Sequence, residues 1–413
     1  MITVHEALDY ILNAVTPLGL ETVPLVDARG RVLAEEIYAA RNIPPRDNSA
    51  MDGFALRADD TMDASPEQPV ILDIIENIPA GHLPLKRVER GQAARIMTGA
   101  VIPDGADTVA KVEDTESDEN KVRLFTAHEK GLNVREKGED VSDGEHILSP
   151  GKSIRPAEMG MLASLGHAQV RVYQRPRVAI IATGDELVDI DREPGPGRIV
   201  SSNSYSLYGQ VLECGGIPVN LGIARDTRED LETHFRAALQ ADIIISSGGV
   251  SVGDYDFVKD VMKEIGTEIR FWRVAQRPGK PLAFGSMGGK PVFGLPGNPV
   301  SSMICFEQYV RPALGKMMGR TGLFRTTVRA RLTEDIEKNA GLRYFFRARV
   351  ALEKDGYIVT TTGSQGSGIL KSMVRANGII VVPEDLKHVA AGEYVTVQLL
   401  DETLAFRDKP EYL

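Results

Sequence analysis

Ile243-Ile-Ile-Ser-Ser-Gly-Gly-Val-Ser-Val-Gly253 is the stretch whose reading decides the fold. Its apolar start, Ile243-Ile-Ile245, reads as a buried strand, and the glycine-rich turn Ser246-Ser-Gly-Gly-Val-Ser-Val-Gly253 is how an open α/β sheet holds a phosphate. Where side chains are missing, backbone N–H groups approach an anion closely, and a following helix presents its positive end. Asp254 and Asp256 follow at once. Amides that attract an anion, beside carboxylates that repel it, point to a phosphorylated ligand accompanied by a divalent metal.

Working outward, Arg177-Val-Ala-Ile-Ile181, Pro218-Val-Asn-Leu221 and Lys290-Pro-Val-Phe293 are further strand candidates. Helical stretches around Ser204 to Leu212, Arg228 to Leu239 and Asp256 to Ile265 separate them, which predicts a doubly wound sheet over residues 173–320 with helices on both faces. Ligands in such sheets bind at the carboxyl ends of the strands, so three strand ends converge. The first is Thr183-Gly-Asp-Glu-Leu187, which places Asp185 and Glu186 past a buried strand; the second is Arg225-Asp226; the third is the glycine turn with Asp254 and Asp256. Asp185 and Glu186, and likewise Asp226, also read as helix N-caps, and the glycine turn as a purely structural turn. Together they read as a metal and phosphate site. Two proline-fixed loops add to it: Arg277-Pro-Gly-Lys-Pro281 presents cations, and Gly294-Leu-Pro-Gly-Asn-Pro299 precedes a helix containing Val300, Ile304 and Phe306. Pro-Gly pairs are also ordinary turn punctuation, but rigid cations beside a phosphate turn favour an oxyanion.

On either side the pattern changes. Residues 1–42 open with a capped helix, Thr3 as N-cap with Glu6 three residues on and Ala7, Leu8, Ile11 and Leu12 on one face, ended by Pro17. Residues 144–172 return to strand and helix, with Met159, Leu162, Ala163 and Leu165 on the helix face, and pair with 1–42 as an elongated N-terminal domain. Residues 43–143 are turn-rich, with short runs such as Val70-Ile-Leu72, Ala94-Arg-Ile96 and Val122-Arg-Leu124, and read as an inserted mainly β domain. Residues 321–413 carry alternating runs such as Val328-Arg-Ala-Arg-Leu332 and Tyr394-Val-Thr-Val-Gln398, which predict a barrel-like β domain. The fold class is thus α/β multidomain.

Composition bounds the function. The chain has 413 residues, is 42% hydrophobic and carries a net charge of -10, which argues against nucleic acid or an acidic membrane as the main partner. Cys214 and Cys305 are the only cysteines, lack metal-ligand spacing, and read as core residues in a reducing, cytoplasmic compartment. No leader or membrane-spanning apolar run is visible, and the seven histidines are scattered, so zinc is not expected.

Eight motifs in order now carry a family resemblance: Asn48-Ser-Ala-Met-Asp-Gly-Phe-Ala55, Arg95-Ile-Met-Thr-Gly-Ala100, Lys137-Gly-Glu-Asp140, Thr183-Gly-Asp-Glu-Leu187, the glycine turn, Pro278-Gly-Lys-Pro281, Gly294-Leu-Pro-Gly-Asn-Pro299 and Thr361-Thr-Gly-Ser-Gln-Gly-Ser367. Over nearly its whole length the chain resembles the MoeA family of molybdopterin molybdenumtransferases, which includes the gephyrin E domain. The resemblance implies that adenylylated molybdopterin and molybdate are substrates, and that molybdenum is inserted into the dithiolene with Mg²⁺-assisted release of AMP. It further implies a four-domain homodimer whose cleft lies between the α/β domain of one subunit and the C-terminal domain of the other. The upstream molybdopterin adenylyltransferase is the implied supplier. That enzyme's own activity, and a non-enzymatic gephyrin-like scaffold, are the rival readings.

Residue by residue, the resemblance assigns Asp185, Glu186, Asp226 and Asp256 to phosphate-cleavage chemistry, with Glu186, Asp226 and Asp256 as metal ligands. Gly248, Gly249, Val250 and Ser251 would cradle phosphates beside Pro296, Gly297, Asn298 and Pro299. Arg273, Arg277 and Lys280 would hold the oxyanion, joined across the dimer by Arg347 and Ser367. Arg273 and Arg277 depart from the lysines common in the family, keeping charge but changing a point cation to a planar fork. Asp52, Thr98, Glu139 and Asp140 match inserted-domain motifs associated with activity, and also read as turn and hinge residues. Charge and size alone do not distinguish molybdate from tungstate.

Overall fold

The computed structural model describes residues 1–249, 261–262, 264 and 266–401. Helix α1 (Val4–Ala14) has the expected capping box: Glu6 N donates to Thr3 Oγ1 at 3.1 Å and Thr3 N donates to Glu6 Oε2 at 2.7 Å. Its buried face of Val4, Ala7 and Ile11 packs in the same core as Phe271, Phe284, Tyr309 and Val310 of the α/β region. Grouping all of 1–42 with 144–172 therefore differs from the packing. The cause is an anchor just before the helix, where Ile2 N donates to Arg273 O at 3.1 Å and Ala275 N donates to Ile2 O at 2.8 Å.

After β1 (Leu20–Pro24) the chain enters a six-stranded sheet of β2 (Gly53–Leu56), β3 (Val70–Ile78), β4 (Gln92–Ile96), β5 (Thr108–Lys111), β6 (Thr115–Ser117) and β7 (Lys121–Leu124). The order is β5-β2-β4-β3-β7-β6, antiparallel except for β3 with β4. Each face has its own cluster, Phe54, Leu56, Leu72 and Leu124 on one side and Ala55, Ile78, Ile96 and Val109 on the other. The chain then forms α2 (Pro156–Leu165) and β8 (Gln169–Tyr173), and β8 pairs antiparallel with β1 from Leu20↔Tyr173 to Pro24↔Gln169. Leu33, Ile37, Leu162 and Val172 fill this unit's core.

The α/β region contains β9 (Arg177–Thr183), α3 (Ser202–Cys214), β10 (Ile217–Ala224), α4 (Arg228–Ala238), β11 (Ile243–Ser247), β12 (Glu268–Arg273), β13 (Gln276–Arg277), β14 (Pro281–Met287), β15 (Lys290–Leu295), α5 (Pro299–Cys305) and α6 (Arg311–Met317). Its sheet runs β10-β9-β11-β15-β14-β12. The first four strands are parallel and the last two antiparallel. The hairpin-like edge of β12 and β14 goes beyond the strands expected from sequence. Glu268-Ile-Arg-Phe-Trp-Arg273 is half charged, and Pro281-Leu-Ala-Phe-Gly-Ser-Met287 carries Pro and Gly, so neither stands out as an apolar run.

Five strands close the C-terminal region: β16 (Thr327–Leu332), β17 (Arg343–Glu353), β18 (Gly356–Thr361), β19 (Gly378–Val382) and β20 (Tyr394–Leu399), with α7 (Leu370–Val374) between β18 and β19. The ring runs β17-β18-β16-β20-β19 and back to β17, so it has no free edge within the barrel wall. The two-residue β13 adds to β17 in parallel, with Gln276↔Arg343 and Arg277↔Tyr344. One strand pairing thereby couples the cation loop of the α/β region to the barrel. A second tie is ionic: buried Glu307 accepts from Arg311 Nε and Arg325 Nε, both at 2.7 Å, and from Gln210 at 2.9 Å.

Candidate functional site

The parallel strands end together, as anticipated, and a cleft of about 610 Å³ opens there. Thr183 and Glu186 line it from the end of β9, Ser247, Gly248 and Gly249 from β11, Pro296 to Pro299 from β15, and Ser201 to Asn203 from the start of α3. Gly248 has φ +105, and a Cβ there would lie 2.8 Å from Thr183 Oγ1, so only glycine fits the turn between the two strand ends. Its N–H donates to Leu295 O at 3.1 Å and is therefore committed to the scaffold. Val250, Ser251, Asp254 and Asp256 lie outside the described residues.

Asp185 and Asp226 lie side by side. Asp226 N donates to Asp185 Oδ1 at 3.2 Å, and Arg225 fastens the opposite loop by donating to the carbonyls of Asp185 at 3.3 Å and Leu187 at 3.0 Å. Burial raises the Asp226 carboxyl above its ordinary value, and the negative charges of Asp185 and Glu186 push the same way. The helix-cap alternative for Asp226 is not what is seen: Thr227 is the N-cap of α4 and its side chain accepts from Asp230 N. Among the described residues no group of three or more His, Cys, Asp or Glu is positioned to hold a metal, and Asp256 falls outside that set.

Beside this cleft lies a second cavity of about 500 Å³, lined by Arg277, Pro278, Lys338, Tyr344, Arg347 and Gln365 among others. Arg347 is 1% exposed, donates to Ser372 Oγ at 3.0 Å and Gly366 O at 3.1 Å, and pairs with no carboxylate among the described residues. Burial depresses its guanidinium to about 10. Gln365 brackets it, accepting from Arg347 N at 2.9 Å and donating to Arg347 O at 3.1 Å. A buried cation with only neutral hydrogen-bond partners keeps its charge uncompensated, a chemistry suited to an anion.

The loop bearing Arg277 is held from beneath. Fully buried Gln276 donates to Pro278 O at 3.0 Å and Gly279 O at 3.3 Å, and accepts from Tyr309 Oη. Gly279 has φ +87, and a Cβ there would lie 2.8 Å from Gln276 Nε2. Arg273 and Lys280 are exposed on the flanks of this turn and do not line either cavity. Cys305 packs against the same turn, and burial raises its thiol; Cys214 is likewise pushed up to about 12, so both are core residues.

Within one chain Arg347 lines its cavity with Arg277, and Ser367 O accepts from Val300 N at 3.1 Å. The β13 to β17 pairing is the physical reason. The other distant residues stay apart from both cavities. Asp52 accepts from Thr98 N at 2.6 Å and Thr98 Oγ1 at 2.8 Å, which lowers its carboxyl below the ordinary value, while Glu139 accepts from Glu136 N at 3.1 Å and Asp140 N donates to Ile43 O at 3.0 Å.

Sequence reading missed Asn203. It donates to Ser247 Oγ and Gly297 O, both at 2.8 Å, and so bridges two loops of the larger cleft, while its buried Oδ1 has no partner among the described residues. The signal was the polar cluster Ser201-Ser-Asn-Ser204 at a helix start, which resembles ordinary capping.

Comparison with known proteins establishes the family. Residues 2–166 match the MoeA N-terminal region (domain I and II), 179–316 a probable molybdopterin binding domain, and 329–400 the MoeA C-terminal region (domain IV). A molybdopterin molybdenumtransferase of Nostoc sp. is 38% identical, with 96% of this chain and 93% of that protein aligned. One from Staphylococcus epidermidis is 34% identical, covering 99% and 97%. The crystal structure of a molybdopterin biosynthesis MoeA protein from Pyrococcus horikoshii superposes with a TM-score of 0.83 at 33% identity, covering 97% of this chain and 99% of that one. The chain belongs to the MoeA family of molybdopterin molybdenumtransferases.

Proposed function

We propose that this chain inserts molybdate into adenylylated molybdopterin with release of AMP, completing molybdenum cofactor. The observation that carries this is the adjacency of the two cavities. Arg277 and Gly366 line the cation-rich one, while Pro281 and Gly368 from the same two loops line the strand-end cleft. A phosphorylated pterin in the larger cleft would therefore meet an oxyanion held next door. An adenylyltransferase confined to the α/β fold does not account for MoeA regions on both flanks together with two such cavities.

In this reading Pro296, Gly297, Asn298 and Pro299 shape the wall against the pterin phosphate, and Asn203 fixes their distance from Ser247. Arg277 and Arg347 hold the oxyanion. A magnesium ion fits the acidic strand ends in charge, because Asp226 carries an excess of nearby negative charge that a cation would relieve. Glu186 and Asp226, with Asp256, would hold it. When bound, the metal neutralises charge on the phosphoanhydride that breaks to free AMP. Arg225 keeps the Asp185 loop against Asp226. We further propose a cytoplasmic homodimer, supplied by the upstream molybdopterin adenylyltransferase.

The test is to incubate the purified chain with adenylylated molybdopterin, omitting molybdate or Mg²⁺ in turn, and to measure AMP. Release only when both are present supports the reading. Absence of release with both present rules it out.

A further inference from the structure

Tyr344 has no place in the reading so far, yet it stands where the two parts of the oxyanion cavity meet. It is 7% exposed, and its ring is stacked on Phe346 with centroids 5.4 Å apart and planes 26° apart. Two cations address this ring: the Arg277 guanidinium carbon lies 5.7 Å from its centroid and Lys338 Nζ lies 5.0 Å from it. Tyr344 is also the register partner of Arg277 in the β13 to β17 pairing, so backbone and ring hold the same arginine.

Lys338 differs from Arg277 in what its nitrogen does. Its ammonium donates to Leu342 O at 3.0 Å and to Asn339 O and Glu384 O at 3.4 Å. Its donors are thus committed, and the lysine is a fixed prop against the ring. Arg277 is exposed, and no carboxylate pairs with it among the described residues, so its fork is available to a ligand.

We propose that Tyr344, backed by Lys338 and Phe346, is a positioning residue that holds the Arg277 guanidinium flat at the mouth of the oxyanion cavity and so sets affinity for a tetrahedral oxyanion. A planar guanidinium can rest on an aromatic face and still offer its fork to an oxyanion, whereas the Lys338 ammonium on the same ring gives its donors to carbonyls. This gives a physical reason for arginine at 277. The proposal rests on the oxyanion reading of the cavity.

The experiment is equilibrium dialysis with labelled molybdate and no pterin, on the full chain, for the wild type, Tyr344→Leu, Tyr344→Phe, Arg277→Lys and the Tyr344→Leu/Arg277→Lys double variant. Tyr344→Leu should weaken molybdate binding about threefold to tenfold, the range of one cation–π contact. Tyr344→Phe should restore it, because the ring face is kept. The double variant should bind no worse than the weaker single variant, since both changes remove one interaction. Binding of adenylylated pterin, measured separately, should not move. If Tyr344→Leu loses the fold by circular dichroism, Tyr344→Met carries the same expectation. Unchanged molybdate affinity in the aliphatic variant, or additive losses in the double variant, overturns the positioning role. A wild-type chain that binds no molybdate overturns the oxyanion reading itself.

Discussion

Arg347→Met separates a binding residue from a structural one. The guanidinium is buried among neutral groups, and burial holds it down to about 10, so the protein disfavours the charged form by an amount on the order of 3 kcal/mol. Removing it costs the hydrogen bond to Gly366 O, worth about 1 kcal/mol, while Ser372 Oγ keeps its bond to Ile369 O at 2.7 Å. Methionine refills most of the volume without a charge. The ligand-free variant should therefore unfold at the wild-type temperature or a few degrees above it. Molybdate affinity should fall by about tenfold to a hundredfold, the loss of one charge-assisted bond of about 1.5 to 3 kcal/mol. Thermal unfolding with and without molybdate reads both quantities: the ion should raise the wild-type midpoint through linkage and leave the variant nearly unmoved. A variant destabilised by several kcal/mol that still gains the full molybdate shift would make Arg347 a strut and refute the reasoning.

Other outcomes follow from the same geometry. Asp226→Asn should abolish AMP release without lowering the unfolding midpoint, because the raised carboxyl costs stability in its ionised form; in the wild type, Mg²⁺ affinity, read by titration calorimetry, should weaken as pH falls through that raised value, above the range of an ordinary aspartate. Glu158 is held down to about 2 by its hydrogen bonds from Arg155, so its contribution should be complete above pH 4.5 and vanish as pH falls towards 2; Glu158→Gln should flatten that limb of the acid-unfolding curve. Glu307→Gln should lower stability in denaturant unfolding, because Arg311 and Arg325 lose their buried partner and keep only Glu213. In the proposed homodimer, mixing Arg347→Met and Asp226→Asn chains should recover no activity, since each residue stands at a cavity of its own chain; recovery of about half a site per dimer would place them in different subunits.

The strand ends were legible because buried parallel strands are continuous apolar runs, as in Val178-Ala-Ile-Ile181, and because glycine turns leave few other interpretations. The barrel was legible as alternation in Val328-Arg-Ala-Arg-Leu332, although its closure through β17 and β19 depends on register. What escaped reading is non-local. Nothing in Gln276-Arg277 announces a two-residue strand that binds another domain, and that pairing puts Arg347 beside Arg277 in one chain. Arg347 itself sits in Tyr344-Phe-Phe-Arg-Ala348, where alternation predicts a buried position and chemistry predicts an exposed one. Asn203 looked like a cap because the loops it bridges, at Ser247 and Gly297, are far away in sequence.

The most direct test of the account is stoichiometric. With adenylylated molybdopterin, molybdate and Mg²⁺ present, AMP released and molybdenum cofactor formed, the latter scored by activation of a cofactor-free molybdoenzyme, should rise together in equimolar amounts. AMP without molybdenum cofactor, or no AMP at all, would contradict it.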